Sequence, residues 1–237
     1  MICFTIDIDW ASEEVIEDTL LLFENYNVCC TVFATHKSKV LDTCNRNLFE
    51  IGLHPNFNPL LQGRGGNVND VLNKLKEMYP EAVGARSHSL TQSGYILSQY
   101  KEVGIEYEVN HFLPYHQNIK PFVLWNGLLR IPFNWEDDYH FALGYEFNNT
   151  RIDLNDKCLN IFNFHPIHIY LNSENNDRYM SVKDNLNNMD FISKYVNKNN
   201  VLGTRDILIQ LLEHVRSNQK ETNKLHQVHE FFSDSKS

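Results

Sequence analysis

Two aspartates, Asp7 and Asp9, stand one residue apart in Thr5-Ile6-Asp7-Ile8-Asp9-Trp10, closing the apolar, β-prone run Cys3-Phe4-Thr5-Ile6. Side chains alternate faces along a strand, so both carboxylates point the same way, with backbones about 7 Å apart at a rise of roughly 3.3 Å per residue. Burying unpaired carboxylates is costly, and their natural companions here are a cation, a metal ion or a shared proton. The plainer alternative is a strand end that lets both acids reach water.

Further polar groups follow apolar runs in the same way. His54-Pro55-Asn56-Phe57-Asn58 comes directly after Glu50-Ile51-Gly52-Leu53. Pro55 cannot extend a β-ladder, which leaves His54 at the lip of the strand. A histidine and an amide four residues apart in such a loop can converge on one metal beside an aspartate; a strand-end histidine on its own is structural. In Ala85-Arg86-Ser87-His88, a buried arginine beside a carboxylate would fix its orientation and lower its pKa; the other reading is a surface arginine in a loop.

Trp135-Glu136-Asp137-Asp138-Tyr139-His140 sets three acids behind a tryptophan. This is either the acidic first turn of a short helix or an acid that orients a catalytic histidine while the tryptophan walls an apolar pocket. Phe162-Asn163-Phe164-His165-Pro166-Ile167-His168 ends another apolar run. His165 is placed to supply a proton; His168 is either a substrate or supporting contact or a satisfied loop histidine.

The elements that must hold these groups alternate between strand and helix. A helical stripe runs over 12–26 through Val15, Ile16, Thr19, Leu20 and Phe23, and 28–33 and 48–53 read as strands. A loop with Gly63, Gly65 and Gly66 leads into a helix over 68–79. Strand 82–85, helix 92–103 ended by Gly104, and strand 105–109 follow. The stretch 110–150 is aromatic-rich and irregular, and 158–164 is a fully apolar strand. A polar, Asn-rich loop over 172–188 and one more helix precede an amphipathic helix over 204–216. The alternation predicts a parallel sheet. The candidate groups sit at strand ends, where an α/β barrel places its chemistry. Residues 1–216 form the expected domain, and 217–237 the expected polar C-terminal tail, extended or frayed.

The formal net charge of −9 argues against a nucleic-acid partner. No phosphate-binding glycine motif follows any strand. No stretch reaches the roughly 20 apolar residues of a membrane span, and the first strand begins too early to leave room for a signal peptide, so a cytoplasmic protein is expected. The five cysteines form no CxxC pair and read as reduced thiols.

In their order, these segments resemble the five motifs of the polysaccharide deacetylase superfamily, the NodB-homology proteins related to carbohydrate esterase family 4, over about residues 3–170. Thr5-Ile6-Asp7-Ile8-Asp9 matches the aspartate motif, though with Ile8 between the acids. His54 with Asn58 matches a histidine pair, Asn58 replacing the second histidine. Arg86 matches an arginine that precedes a proline by two residues, with His88 in the proline's place. Trp135-Glu136-Asp137-Asp138 looks like the acid-and-tryptophan motif in reversed order, and 161–165 matches the apolar strand ending on histidine. The set looks closest to the WbmS-like branch, associated with O-antigen and surface-glycan synthesis.

The resemblance implies a distorted (β/α) barrel of about seven parallel strands and a metal-dependent carbohydrate N-deacetylase, a hydrolase of linear amide C–N bonds. It implies Zn²⁺ or another divalent transition metal on Asp9, His54 and Asn58, with His88 as a substitute third ligand. Asp7 is the implied base, oriented by Arg86, and His165 the acid, its charge supported by Asp137 or, preferred here, Asp138. His88, Trp135 and His168 are expected to contact substrate, an N-acetylated sugar or glycan precursor, with Trp125 and Phe133 as further candidates for stacking on sugar. The spacer Ile8 leaves open which aspartate is base and which is ligand. The competing expectation is a degenerate barrel that binds a glycan or a glycosyltransferase without turnover, motivated by Asn58 and His88.

Overall fold

The protein is described by a computed structural model over residues 1–147, 158–198 and 201–234. β1 (Ile2–Asp7) is buried along its whole length, as befits an apolar strand covered on both faces. It pairs in parallel with β2 (Cys30–Ala34) on one side and β9 (Asn160–Phe164) on the other. From β2 the sheet continues through β3 (Phe49–Leu53), β4 (Gly84–Ala85), β5 (Tyr107–Glu108) and β7 (Leu129–Arg130) to β6 (Phe122–Val123). Beyond β9 it ends on β8 (Trp135–Glu136).

Eight of these nine strands run parallel, one more than the sequence suggested, and β6 is an antiparallel edge. The sheet curls into an open half-barrel. Isolated bridges Phe112–Phe133 and Ile119–Leu159 lean across the gap.

The period of two sorts β1 into layers. Phe4, Ile6 and Ile8 face outward into a core shared with helices, whereas Cys3 faces an inner core with Phe33, Tyr107, Phe133 and Ile161. Thr5 and Asp7 follow Cys3 on the inner face. Inward positions with little room are glycine: a Cβ on Gly84 would meet the Tyr107 ring at 2.1 Å, and one on Gly52 the Phe33 ring at 2.7 Å.

Outside the sheet lie α1 (Glu13–Tyr26), α2 (Lys39–Thr43), α3 (Asn58–Leu61), α4 (Val68–Met78), α5 (Gly94–Glu102) and α6 (Asp137–Ala142). They are followed by α7 (Pro166–Leu171), α8 (Asn176–Met180), α9 (Met189–Ile192) and α10 (Thr204–Ser217). α1, α7 and α10 pack on one another and bury Val15, Phe23, Leu208 and Leu212. The Asn-rich stretch expected as a loop holds α8, capped by the Asn175 side chain. The irregular middle supplies β6, β7, β8 and α6; its residues 148–150 lie outside the described residues.

The C-terminal segment is not an extended tail. Residues 225–234 form α11 (Leu225–Asp234), which seals the end of the barrel opposite the strand C-termini. Leu225 and Val228 are fully buried in the inner core. The Leu225 N–H donates to Thr31 Oγ1 (2.9 Å), and Asn223 N–H to the Ile2 carbonyl (3.0 Å). The reason is local: apolar Leu225, Val228 and Phe232 share one helical face within an otherwise polar stretch. All five cysteines are free thiols. No helix among the described residues is long and apolar enough to cross a membrane.

Candidate active site

Five strand C-termini converge on one cleft of about 360 Å³, small for a ligand pocket. β1 leads to Asp7 and Asp9, β3 to His54, β4 to Ser87 and His88, β8 ends on Glu136 with Asp138 following on α6, and β9 leads to His165.

Asp7 is 2% exposed. Its Oδ1 accepts from Arg86 Nη1 (3.1 Å) and its Oδ2 from Asn163 Nδ2 (2.9 Å). Arg86 is wholly buried, its guanidinium between the rings of Phe33 and Phe133, 4.6 and 4.4 Å from their centroids. Nη1 also donates to Thr5 Oγ1 (3.0 Å) and Asn163 Oδ1 (2.5 Å), and Nε to the Val109 carbonyl (3.3 Å). The arginine is thus a fixed buried cation with one carboxylate against it, which settles the orientation of Asp7.

Asp9 sits differently. Its Oδ1 lies 3.2 Å from His54 Nε2 and 3.1 Å from His88 Nδ1, and its Oδ2 lies 3.7 Å from His165 Nε2. Burial alone would raise this carboxyl; the hydrogen bonds from His54 and His88 overcome it and hold Asp9 well below the usual carboxylate range. Burial works against the His88 cation too, but the Asp9 bond raises its pKa.

Backbone strain gathers at the same place. Asp9 and Trp10 (φ 35° and 59°) and Ser89 and Leu90 (φ 55° and 52°) are two consecutive pairs of non-glycine residues in the left-handed region. Such conformations persist only where the surroundings enforce them, and they cluster at functional sites. The first pair turns Asp9 into the mouth. The second lies in the turn that begins at His88, whose ring meets that of Trp10 edge-on at 5.1 Å.

On the far wall His165 is held by one carboxylate twice. Asp137 accepts from the His165 backbone N–H at Oδ2 (2.9 Å) and contacts its Nδ1 through Oδ1 (2.7 Å). Burial opposes the imidazolium, yet the charges of Asp137 and Asp138 and the Asp137 bond lift the His165 pKa well above its ordinary value. Nε2 is left directed at the cleft.

Some expected positions change. Asn58 does not line this cleft: its Nδ2 donates to Ser89 Oγ (3.1 Å) and its Oδ1 accepts from Thr91 (3.5 Å), which ties α3 to the turn after β4. His88 instead lies against Asp9, its ring 5.6 Å from that of His54. Asp137, not Asp138, bonds His165, because Asp137 points inward at the start of α6 while its exposed neighbour Asp138 stands on the cleft rim. Trp135 is 2% exposed and packs outward on Phe164 (4.9 Å), since its place opposite Phe162 puts it on the outer face. His168 is buried behind His165, its Nδ1 at 3.2 Å from Ser173 Oγ, and burial lowers its pKa to about 4, so it is neutral. Phe133 belongs to the arginine sandwich, and Trp125 lies in the β6–β7 turn at the opposite end of the sheet.

Glu136, from the same acidic segment, is a further residue of the cleft that the motif pattern does not single out. It lines the cleft opposite Asn163 in the ladder, and its Oε1 accepts from Asn163 Nδ2 (3.0 Å). Burial, then the neighbouring Asp138 charge, raises its carboxyl well above the usual range. The signal was the alternation: if Trp135 faces out, Glu136 faces in.

Asp9, His54 and His88 bring one carboxylate oxygen and two imidazole nitrogens within 4.8 Å of one another. One carboxylate and two imidazoles is a donor set of catalytic zinc sites. Among the described residues His54 Nδ1 has no hydrogen-bond partner; Asp7 Oδ1 lies 3.6 Å away, where a metal-binding imidazole commonly has its outer carboxylate. These residues fit a divalent metal.

The profile of the WbmS-like polysaccharide deacetylases matches residues 4–183. None of the curated proteins matches the chain. Among solved structures, a Bordetella bronchiseptica protein assigned as a polysaccharide deacetylase involved in O-antigen biosynthesis is similar at 37% identity and a TM-score of 0.83, over 90% of each chain. The peptidoglycan deacetylase PdaC from Bacillus subtilis shares the fold at 11% identity and a TM-score of 0.53, over 100% of this chain and 93% of that one. A 4-alpha-glucanotransferase from Thermococcus litoralis does so at 13% and 0.52, over 94% of this chain and 38% of its own. The fold alone therefore leaves the reaction open, whereas the matched profile and the identity to the Bordetella protein do not leave the family open: this chain belongs to the WbmS-like polysaccharide deacetylases.

Proposed function

We propose that the protein is a metal-dependent N-deacetylase that hydrolyses the acetamido group of a sugar in the building of a bacterial surface glycan. The observation that carries this reading is the opposition of two carboxylate–histidine arrangements across one small cleft. Asp9 with His54 and His88 forms one wall, and His165 with Asp137 the other. The O-antigen assignment of the Bordetella protein supplies the glycan context.

Asp9, His54 and His88 would hold the metal, for which Zn²⁺ is the natural choice. When bound, it lowers the pKa of a water toward about 7 and polarises the acetyl carbonyl. Asp7 takes the proton from the attacking water. Arg86 and Asn163 hold both oxygens of Asp7, so the carboxylate is preoriented and spends no free energy on rearranging. His165 enters the reaction protonated, as its two neighbouring carboxylates dictate, and gives its Nε2 proton to the nitrogen as the C–N bond breaks. Asp137 keeps the ring in the orientation that presents Nε2, through bonds to the same residue's Nδ1 and backbone N–H. His168 acts only as a neutral packing partner of that ring, 5.9 Å between centroids.

The binding-only alternative draws on Asn58 and His88; the group of Asp9, His54 and His88, a carboxylate and two imidazoles, favours the enzyme reading over it.

The test is acetate release from N-acetylhexosamines, free, nucleotide-linked and lipid-linked, by protein loaded with Zn²⁺, Co²⁺ or Ni²⁺. His165→Ala is expected to retain its metal and lose roughly 10²–10⁴ in kcat on amides, and to lose less on an acetate ester, whose alkoxide leaves more readily. Binding of a glycan with no acetate released from any of these sugars would return the protein to the binding-only class.

A further inference from the structure

Asp7 and His165, the two groups that move protons, have a third neighbour. Glu136 brings a carboxylate oxygen within 4.8 Å of both. The side-chain amide between them is fully used. Asn163 Oδ1 accepts from Arg86 and Thr5, while its Nδ2 donates to Asp7 Oδ2 and Glu136 Oε1. Asn163 thus holds one oxygen each of Asp7 and Glu136. Glu136 Oε2 is bonded by no described residue, and the side chain lines the cleft.

We propose that Glu136 is a specificity-determining residue whose Oε2 hydrogen-bonds the sugar hydroxyl next to the acetamido-bearing carbon. The assignment rests on the deacetylase reading for the direction in which the substrate lies. His165 Nε2 marks the leaving nitrogen and Asp7 the attacking water, so a group beside both is alongside the C–N bond. In a hexosaminide the nitrogen-bearing carbon has the anomeric carbon on one side and a hydroxyl-bearing carbon on the other, and that hydroxyl is the one assigned to Glu136. The substrate class is thereby narrowed to acetamido sugars with a free vicinal hydroxyl; a sugar substituted there would leave Oε2 desolvated and unpaired, which costs more than a neutral contact. Glutamine at this position keeps a donor, an acceptor and the shape of the acid, whereas alanine keeps none of them.

The closing experiment compares methyl N-acetyl-β-D-glucosaminide with its 3-deoxy counterpart, measuring Kd by titration calorimetry and KM by acetate release on metal-loaded protein. The wild type is expected to favour the hydroxyl-bearing sugar by about tenfold. Glu136→Ala is expected to bring the ratio close to one through the hydroxyl-bearing sugar alone, and Glu136→Gln to keep most of it. A variant that merely misfolds weakens both sugars together and leaves the ratio where it was. An unchanged ratio in a folded Glu136→Ala, no preference in the wild type, or no binding of either sugar overturns the assignment. Acetate release without the preference overturns Glu136 and leaves the deacetylase reading intact. The preference in Kd without acetate release from either sugar leaves Glu136 in place and removes the deacetylase.

Discussion

The half-barrel has a carboxylate–histidine cluster at each end, and the two ends treat the same side chains in opposite ways. At the floor, Glu50 accepts from Thr31 Oγ1 (2.8 Å), Tyr107 Oη (2.6 Å) and the His226 N–H (3.0 Å), with His226 Nδ1 at 3.3 Å. Every bond there ties β2, β3, β5 and α11 together. At the mouth, Asp9, His54 and His88 bring one ligand atom each within 4.8 Å of one another, Glu136 Oε2 is bonded by no described residue, and four residues are held left-handed. A satisfied network stabilises by closing on itself. A site must leave bonds open, and the surrounding scaffold has to carry that cost. Residue type alone would have nominated both ends; the free valences single out the mouth.

That contrast breaks most sharply at the metal. Asp9→Ala, His54→Ala and His88→Ala are each expected to purify with little metal and to lose about 10³-fold or more in activity, the worth of several kcal/mol of charge stabilisation. Asn58→Ala is expected to keep its metal. Elemental analysis that finds full occupancy in His88→Ala and loss in Asn58→Ala would reverse the donor assignment.

Asp7→Asn sharpens the difference between the two N-terminal aspartates. It is expected to retain metal and lower kcat by roughly 10²–10⁴. If instead it empties the site while Asp9→Asn leaves it full, the roles of base and ligand are exchanged.

Much of this was legible in the sequence, for a geometric reason. Strand alternation put Asp7 and Asp9 on one face, and the prolines after His54 and His165 marked where ladders stop. Those cues are local, and so they survive without a structure. What escaped depends on relations that spacing does not carry. His88 was a candidate, but which partner it meets is set by a turn whose left-handed Ser89 and Leu90 no propensity foretells. Asp137 and Asp138 differ by about 100° of helical rotation, which only the start point of α6 decides. Trp135 and Glu136 exchange inside for outside with the register against β9. The polar average of 217–237 hid the one apolar face that makes α11 part of the core.

The floor is expected to answer to stability assays and not to turnover. Leu225→Ala removes a fully buried side chain from the inner core and is expected to cost about 2–5 kcal/mol, a fall of roughly 5–15 °C in Tm for a chain of this size. Activity per folded molecule at low temperature should stay near that of the wild type. A Tm unchanged within a degree would mean that α11 does not close the barrel in solution.

The finest test is the pH dependence of the floor itself. The hydrogen bond to Glu50 raises the His226 pKa against the opposing effect of partial burial. Its contribution to stability is therefore complete below the unfolded histidine value of about 6.5 and is lost as pH rises through the higher folded value. Burial would raise Glu50, but bonds from His226 and Tyr107 lower it; its contribution is present above about 4.3 and is lost as pH falls through the lower folded value. The latch is strongest between those limits. His226→Gln keeps a side-chain donor without a titrating charge, so the mutant should lose less Tm than the wild type between about pH 6 and pH 8.5. His88 and His165 also titrate with raised pKa values, but they are common to both proteins and cancel in the difference. A wild-type Tm that declines no more steeply than the mutant's across that window would show that the His226–Glu50 contact carries no charge, and that the floor is held by the neutral bonds of Thr31 and Tyr107 with the packing of Leu225 and Val228.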